Sequence, residues 1–168
     1  MDLSVIGFVE TDTPKHIFLI RLFIAALLGG MIGFERQSHH GHAGLRTHIL
    51  IAVAACLFTM LAREIQLIAL AAGSDNPDPI RAVEAVTAGV AFLGAGAIFQ
   101  QRGNVKGLTT GAGMWLAGAL GVAAALGYYL VAVLVAVFAL IILAALKHLS
   151  HDVVGAAAED RQGTPRRE

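Results

Sequence analysis

The chain has 168 residues, of which 57% are hydrophobic and only 14% are charged, and its 12 basic and 12 acidic residues give a formal net charge of zero. Ordinary globular chains are roughly 45–50% apolar and about 25% charged, and a soluble domain of this length could not bury so much apolar surface. The composition excludes a soluble enzyme, a disordered chain and a disulfide scaffold, shows no basic excess for nucleic-acid binding, and predicts an all-α polytopic membrane protein.

Five apolar stretches are long enough to cross a bilayer, which takes about 20 mostly apolar residues. In chain order they are Ile17–Phe34, Thr47–Leu61, Ile80–Phe99, Leu108–Gly127 and Tyr128–Leu146. Arg63 and Glu64 follow the second stretch, so we expect an interfacial extension beyond them, over Ile65–Ala72. The predicted organisation is an extracytoplasmic segment over 1–16, a five-helix membrane domain over 17–146 and a disordered cytoplasmic tail over 147–168.

The positions of Lys and Arg orient the chain, because cytoplasmic loops carry an excess of these residues. With the N-terminus outside, eight basic residues are cytoplasmic and only Lys15, Arg63 and Arg81 are external; the reverse orientation inverts this excess. The eight are Arg36, Arg46, Arg102, Lys106, Lys147, Arg161, Arg166 and Arg167. We therefore predict a multi-pass protein with an external N-terminus and a cytoplasmic C-terminus.

The first two spans resemble the third and fourth. Leu28, Gly29 and Phe34 match Leu93, Gly94 and Phe99 in spacing, and residues 44–47 match residues 107–110 after a shorter loop. Both hairpins would cross the membrane in the same direction, which predicts two parallel helical hairpin repeats followed by a fifth helix. Chance recurrence of Gly and Leu is the alternative.

Glycine is the strongest compositional signal, with 19 residues. Gly29-x-x-x-Gly33 and Gly107-x-x-x-Gly111 have the spacing that lets helix backbones approach closely in lipid. The pattern indicates helix packing within the chain, with a docking surface or a backbone-lined path as the functional alternatives. The candidate glycines are Gly29, Gly33, Gly89, Gly94, Gly96, Gly107 and Gly111.

Charged residues at membrane depth are functional candidates by default. Arg21 and Glu84 lie at the same depth near the starts of the first and third spans. We hypothesise an Arg21–Glu84 pair between these spans. The alternatives are an Arg21 that extends to the interface and an Arg81–Glu84 pair at i,i+3 spacing on one helix.

Asp78 and Pro79 together are typical of a helix start, since aspartate caps a helix and proline suits its first position. Oxygen-rich sites suit Mg²⁺, so Asp78 and Glu84 are also weak candidates for a metal site, with a solvated acidic loop as the ordinary alternative.

The second and fourth spans both begin at the predicted cytoplasmic face, where helix amides and the helix dipole favour anions. Arg46, Thr47, Thr109 and Thr110 stand at these two starts and are candidates for binding a partner's carboxylate or a lipid phosphate. Plain threonine capping is the alternative. Trp115 lies inside the fourth span, so its indole N–H needs a partner.

The sequence has no motif for catalysis or for a cofactor. It lacks His-Glu-x-x-His, Gly-x-Ser-x-Gly and a phosphate-binding loop with lysine. His39, His40 and His42 share one loop that could hold a transition metal, but a solvated loop is the favoured interpretation. We expect a non-enzymatic protein without a cofactor.

Four motifs stand in order along the chain: LLGGMIGFER at 27–36, AGLRTH at 43–48, FLGAGAI at 92–98 and VKGLTT at 105–110. Together with Asp78, Pro79 and Arg81 they closely resemble the MgtC/SapB family of bacterial inner-membrane proteins, over residues 17–146. Glu84 and Gly111 stand where that family more often has glutamine and alanine. Many members also carry a soluble C-terminal domain, for which the segment 147–168 is too short, so the chain resembles a short form.

The resemblance implies a five-helix domain in the bacterial plasma membrane, a role in growth at low Mg²⁺ and, in pathogens, survival inside host cells. It implies action by contact with other membrane proteins, ATP synthase among them, more than by movement of Mg²⁺. Our leading hypothesis is a non-enzymatic regulator that contacts partner membrane proteins through its glycine faces, as a monomer or a homo-oligomer. The alternative is a small oligomeric divalent-cation transporter or channel.

Overall fold

The computed structural model describes residues 11–37, 43–74, 78–101 and 104–162. Five helices lie in these ranges, in the predicted order: α1 (Lys15–Gln37), α2 (Leu45–Ala71), α3 (Ile80–Gly96), α4 (Leu108–Leu126) and α5 (Tyr129–Gln162). A short antiparallel hairpin of β1 (Phe99–Gln101) and β2 (Asn104–Lys106) joins α3 to α4. The all-α prediction is confirmed, and the hairpin is an addition that the apolar pattern did not predict.

Three helix ends differ from the prediction. α2 passes through Arg63 and Glu64 without a break, so the predicted interfacial extension belongs to one continuous helix. α3 ends at Gly96 because the chain turns into β1, where Phe99 pairs with Lys106. α5 continues to Gln162, so most of the segment predicted as a disordered tail is helical here; no proline interrupts it before Pro165.

The helices α1, α2 and α4 are long and apolar enough to cross a membrane by length and composition. α3 has 17 residues, which rise only ~25 Å against a hydrocarbon core of about 30 Å. In α5 the described apolar part is Tyr129–Ala145, and the sequence stays apolar through Leu146. The protein is therefore a polytopic membrane protein whose third helix is shorter than its central ones.

The centre of the bundle is formed by α1, α2 and α4. Its buried residues are mostly small, and Ala25, Ala52, Cys56 and Ala117 have no more than a trace of exposed surface. α3 lies along α2 and α4, whereas α5 lies along α1 and α4 and buries Ala132 and Ala136 there with their neighbours. α4 consequently contacts all four other helices.

Two ends of the bundle are distinguished by charged residues. At the Arg36 end, α1 and α3 finish and α2 and α4 begin; at the opposite, Glu64 end, α1, α3 and α5 begin and α2 and α4 finish. The α1–α2 and α3–α4 hairpins thus run in the same direction, as the repeat prediction requires. Their relationship by duplication stays a prediction.

Candidate functional site

The glycines of α1 bring its backbone against that of α2. A Cβ atom added at Gly29 would lie 2.6 Å from the carbonyl oxygen of His48, and one added at Gly33 would lie 2.8 Å from the Cα of Leu45. Real Cβ atoms are essentially never so close to other heavy atoms. Gly29 and Gly33 therefore pack inside the chain and offer no docking surface.

The second predicted glycine pair packs α3 and the β-hairpin against α4. A Cβ at Gly111 would lie 2.9 Å from the carbonyl oxygen of Gly94. Gly107 has φ +86°, a left-handed conformation that favours glycine, and an added Cβ there would lie 2.0 Å from the carbonyl oxygen of Ala97. Gly89 and Gly96 differ, because a Cβ at either would meet nothing within 4 Å.

Three further glycines of α4 make contacts that the spacing argument missed. Added Cβ atoms would lie 2.2 Å from the Ala52 carbonyl oxygen at Gly121, 3.0 Å from Val90 at Gly118 and 3.0 Å from the His48 Nε2 at Gly113. Gly121 thus packs against α2, Gly118 packs against α3, and Gly113 packs against both α2 and α1. The number of glycines in this one span could have predicted the contacts, since a helix that packs closely on several sides needs small residues on each of those sides.

A polar cluster closes the Arg36 end of the bundle. Arg36 forms an ion pair with Glu35, and these side chains are only 11% and 17% exposed. His48 beside them is fully buried: its Nδ1–H donates to the carbonyl oxygen of Gly44 over 2.8 Å, and its Nε2 has no hydrogen-bond partner among the described residues. His48 ends the AGLRTH motif, but nothing in the local sequence predicts its burial. The packing of Gly113 against Nε2 leaves no open space there for a ligand.

The alternative of plain threonine capping at the starts of α2 and α4 is wrong. α2 has Gly44 at its N-cap and α4 has Gly107, and neither start has a side-chain cap hydrogen bond. Thr110 is buried and Thr109 exposed at the start of α4. At the start of α2, the Leu45 N–H donates to Gln37 Oε1 over 3.2 Å, Arg46 is exposed, and Thr47 lines a groove.

Arg21 and Glu84 do not meet. The Arg21 Nε donates to the Tyr129 hydroxyl over 3.4 Å, and the Arg21 Nη1 is buried without a hydrogen-bond partner among the described residues. Glu84 is exposed on α3. The hypothesised interhelical pair is therefore absent from the described part of the chain. The Arg81–Glu84 alternative is absent there too, and Arg81 instead pairs with Asp78, with 4.0 Å between Nε and Oδ2.

The acidic residues of the Glu64 end have separate local roles. Asp78 accepts a hydrogen bond from the Ile80 N–H over 2.9 Å, which is the predicted helix start. Glu64 accepts hydrogen bonds from the backbone N–H groups of Asp12 and Thr13 over 2.8 and 3.1 Å, which fastens α2 to the segment before α1. No three potential metal ligands come together within the described ranges, and His39, His40 and His42 lie outside them.

A long apolar groove runs between α2 and α3, with a volume of about 770 Å³. Thr47, Ile51 and Phe58 line its α2 wall, Ala85, Gly89 and Leu93 line its α3 wall, and Met114 of α4 lies at its base. Gly89 is thus one of the two predicted glycines that face open space, and its lack of a side chain widens this groove.

The outward face of α4 forms a second surface, between α3 and α5. Its exposed residues recur at helical spacing: Leu108, Ala112, Trp115, Ala119 and Leu126. We call this set the α4 stripe. Trp115 is 51% exposed at its middle, and together with Val83 and Val122 it borders a cavity of about 250 Å³ between α3 and α4.

Comparison with known proteins gives a family match over most of the chain. The model of the MgtC family matches residues 22–151. The chain is 41% identical to Protein MgtC of Brucella abortus (strain 2308) over 125 residues, which is 74% of this chain and 49% of that protein. It is 37% identical to "Putative magnesium transporter YhiD" of Escherichia coli (strain K12) over 133 residues, or 79% of this chain and 62% of that one.

Protein MgtC of Salmonella typhimurium (strain LT2) is 37% identical over 113 residues, or 67% of this chain and 45% of that protein. The chain therefore covers less than two thirds of each of these relatives. No solved structure matches it.

Proposed function

The chain belongs to the MgtC family, and on that premise we propose that it regulates other membrane proteins by direct contact, in a role linked to magnesium. The names of the Escherichia coli and Brucella relatives support the link to magnesium and to the family. The observation that carries the contact mechanism is the exposed Trp115 in the middle of α4.

Trp115 stands where lipid alone is a poor neighbour. It lies about 10 Å along α4 from Leu108, well inside the span, whereas tryptophan in membrane helices favours the two interfaces. Its indole N–H has no hydrogen bond within the described structure, and acyl chains offer no acceptor. A protein partner could supply one, and tryptophan is among the residues that contribute most to protein interfaces.

The surroundings of Trp115 suit a transmembrane helix. Ala112 and Ala119 flank it on the α4 stripe, and small residues allow a neighbouring helix to approach closely. α3 and α5 border the stripe on its two sides. We propose that the partner is an integral membrane protein that lays one helix on the stripe and accepts a hydrogen bond from Trp115 at mid-membrane.

The polar groups at mid-membrane support contact over transport. The hydroxyl groups of Thr59 and Thr87 donate to carbonyl oxygens of their own helices, Ala55 and Val83, each over 2.7 Å. At the centre, Gly121 brings the α4 backbone against α2. The two hydroxyl groups are thus engaged within their own helices, which favours the contact mechanism over transport.

The test is site-specific photo-crosslinking in living cells. A photoreactive phenylalanine analogue replaces Trp115, and the matched control carries it at Phe23, which is 64% exposed on α1 away from the stripe. We expect crosslinks to one or a few membrane proteins from position 115 and not from position 23. Equal patterns at the two positions, or adducts with lipid alone, would refute the contact mechanism.

The alternative function is a homo-oligomeric divalent-cation transporter, which the name of the Escherichia coli relative favours. It is tested by Mg²⁺ flux into liposomes that contain the folded protein, beside a variant with Asp78→Asn and Glu84→Gln. Selective flux that the variant loses would establish transport and replace our proposal. If the protein is inserted and folded but shows no Mg²⁺ flux, the contact mechanism stands as the proposed function.

We also propose that the protein lies in the bacterial plasma membrane with its Arg36 end in the cytoplasm. The charge distribution supports this orientation, and ATP synthase is a partner to examine first among the crosslinks because the family resemblance implies it. Reporter fusions after Ser74 and after Gly127 should both report the external side. A cytoplasmic signal from both would reverse the assigned orientation.

A further inference from the structure

We propose that the groove between α2 and α3 binds one anionic phospholipid. One acyl chain of the lipid lies along the groove, and its phosphate lies beside Arg46 at the Arg36 end of the bundle. This inference does not rest on the proposed function, because the groove and the α4 stripe lie on different sides of α3. Its evidence is the chemistry of the groove walls, the length of the groove and the charge at one mouth.

The walls of the groove suit a hydrocarbon chain. Of the residues that line it, Thr47 at one mouth is the polar one, and the rest are apolar. Gly89 and Ala85 recess the α3 wall, while Phe58 and Leu50 project from the α2 wall. A flexible acyl chain can follow so uneven a surface, and it does not need hydrogen-bond partners.

The length of the groove matches one leaflet. From Thr47 to Phe58 on α2, and from Leu93 to Ala82 on α3, each wall covers eleven residue steps, or ~17 Å. Half of a hydrocarbon core of about 30 Å is about 15 Å. A transmembrane helix of a partner spans the whole core, so it would extend well beyond the groove, whereas the chain of one lipid fits within it.

Positive charge lies at one mouth of the groove. Arg46 is exposed in the first turn of α2, next to Thr47. Lys106 directly precedes Gly107, which packs against Ala97 at the end of α3, so Lys106 lies at the same end of the bundle. Basic residues at the end of an interhelical pocket are the usual complement of an anionic lipid headgroup, and the Thr47 hydroxyl can donate to the same phosphate.

The experiment is native mass spectrometry of the full chain, released from micelles that contain phosphatidylglycerol or phosphatidylcholine with identical acyl chains. We expect one lipid per chain to survive release, with a preference of about fivefold for phosphatidylglycerol per basic residue engaged. Equal retention of the two lipids would overturn the proposed headgroup site.

Two variants, each with a matched control, separate the chain site from the headgroup site. Gly89→Leu fills the groove, whereas Gly96→Leu makes the same change on α3 outside it; both positions have free space for a side chain. Arg46→Gln removes the charge at the mouth, whereas Arg63→Gln removes an exposed charge from the other end of α2.

We expect Gly89→Leu to lose the retained lipid and Gly96→Leu to keep it. Arg46→Gln should keep a lipid but lose most of the preference for phosphatidylglycerol, and Arg63→Gln should behave as the unaltered chain. Lipid retained in Gly89→Leu would overturn the proposal. A protein dimer that dissociates in Gly89→Leu would also overturn it, in favour of a second copy as the occupant.

Discussion

The α1–α2 hairpin and the α3–α4 hairpin have similar glycine-rich sequences but pack differently. α1 and α2 touch along the bundle, from the contact of Gly33 with Leu45 to the hydrogen bonds of Glu64 with the backbone before α1. α3 and α4 touch where Gly94 meets Gly111, and they separate toward the Glu64 end, where a cavity of about 250 Å³ opens between them.

The difference follows from what faces each glycine. Gly29 lies opposite Ala52, so two small residues let the backbones meet. Beyond Val90, the larger side chains of Val83 and Thr87 line the cavity together with Trp115, and the two helices leave space between them there. A small residue therefore brings two helix backbones into contact only where the residue opposite is also small. Elsewhere it leaves a groove between the helices that a ligand can occupy.

The largest expected effect contrasts one glycine of each hairpin. Gly29→Ala places a Cβ 2.6 Å from a backbone oxygen that cannot move away easily; overpacking of this kind costs about 3 kcal/mol, offset by ~1 kcal/mol of helix propensity. Gly89→Ala meets open space and should leave the free energy of unfolding unchanged or raise it by up to about 1 kcal/mol. Unfolding in mixed detergent micelles measures both.

This comparison fails if Gly89→Ala destabilises the protein as much as Gly29→Ala does. In that case α3 would be packed against something in the measured state, and the open groove would not exist there. Gly96→Ala provides the control for helix propensity alone, because its added Cβ also meets nothing within 4 Å.

The helices could be predicted from the sequence because their signals are local. Apolar length located all five helices, and Asp78 with Pro79 marked the start of α3. The end of α3 could not be predicted in the same way. It depends on the pairing of Phe99 with Lys106 in the β-hairpin, which apolar length does not register.

The candidate site was less predictable, because glycine spacing does not say which side of a helix is covered. Gly29 and Gly89 look alike in the sequence, yet one packs against α2 and the other faces a groove. Arg21 and Glu84 share a depth but face different neighbours. The burial of His48 could not be predicted, because it depends on glycines of two other helices. The exposure of Trp115 could not be predicted either, because it depends on how the other helices pack around α4.

A second test concerns the polar cluster that closes the α1–α2 hairpin. Glu35→Gln leaves Arg36 without its carboxylate, and we expect a loss of about 2 kcal/mol, below the ~3–5 kcal/mol of a fully buried pair because both side chains retain some exposure. The double variant Glu35→Gln with Arg36→Met removes the unpaired charge and should recover part of the loss. A double variant less stable than the single one would show that Arg36 has a more important partner than Glu35.

A third, smaller effect is expected at the opposite end of the same hairpin. Glu64→Ala removes the acceptor of the Asp12 and Thr13 N–H groups and should cost about 1 kcal/mol. Hydrogen exchange should accelerate at those two amides and remain unchanged at Gly29 in the centre. Arg63→Ala, a neighbouring exposed residue, is the control, and equal acceleration in both variants would mean that Glu64 has no specific role there.

The smallest effect sharpens the contrast between the charged residues of the two hairpins. Tyr129→Phe removes a long hydrogen bond of 3.4 Å to Arg21 and should cost about 0.5 kcal/mol, whereas Glu84→Gln on the exposed face of α3 should change nothing measurable. The charge swap Arg21→Glu with Glu84→Arg should be no more stable than Arg21→Glu alone, because the two side chains do not meet in the bundle. Recovery of stability in the charge swap would mean that α3 packs against α1 in the membrane. The α3–α4 hairpin would then have a second arrangement, in which Arg21 and Glu84 meet.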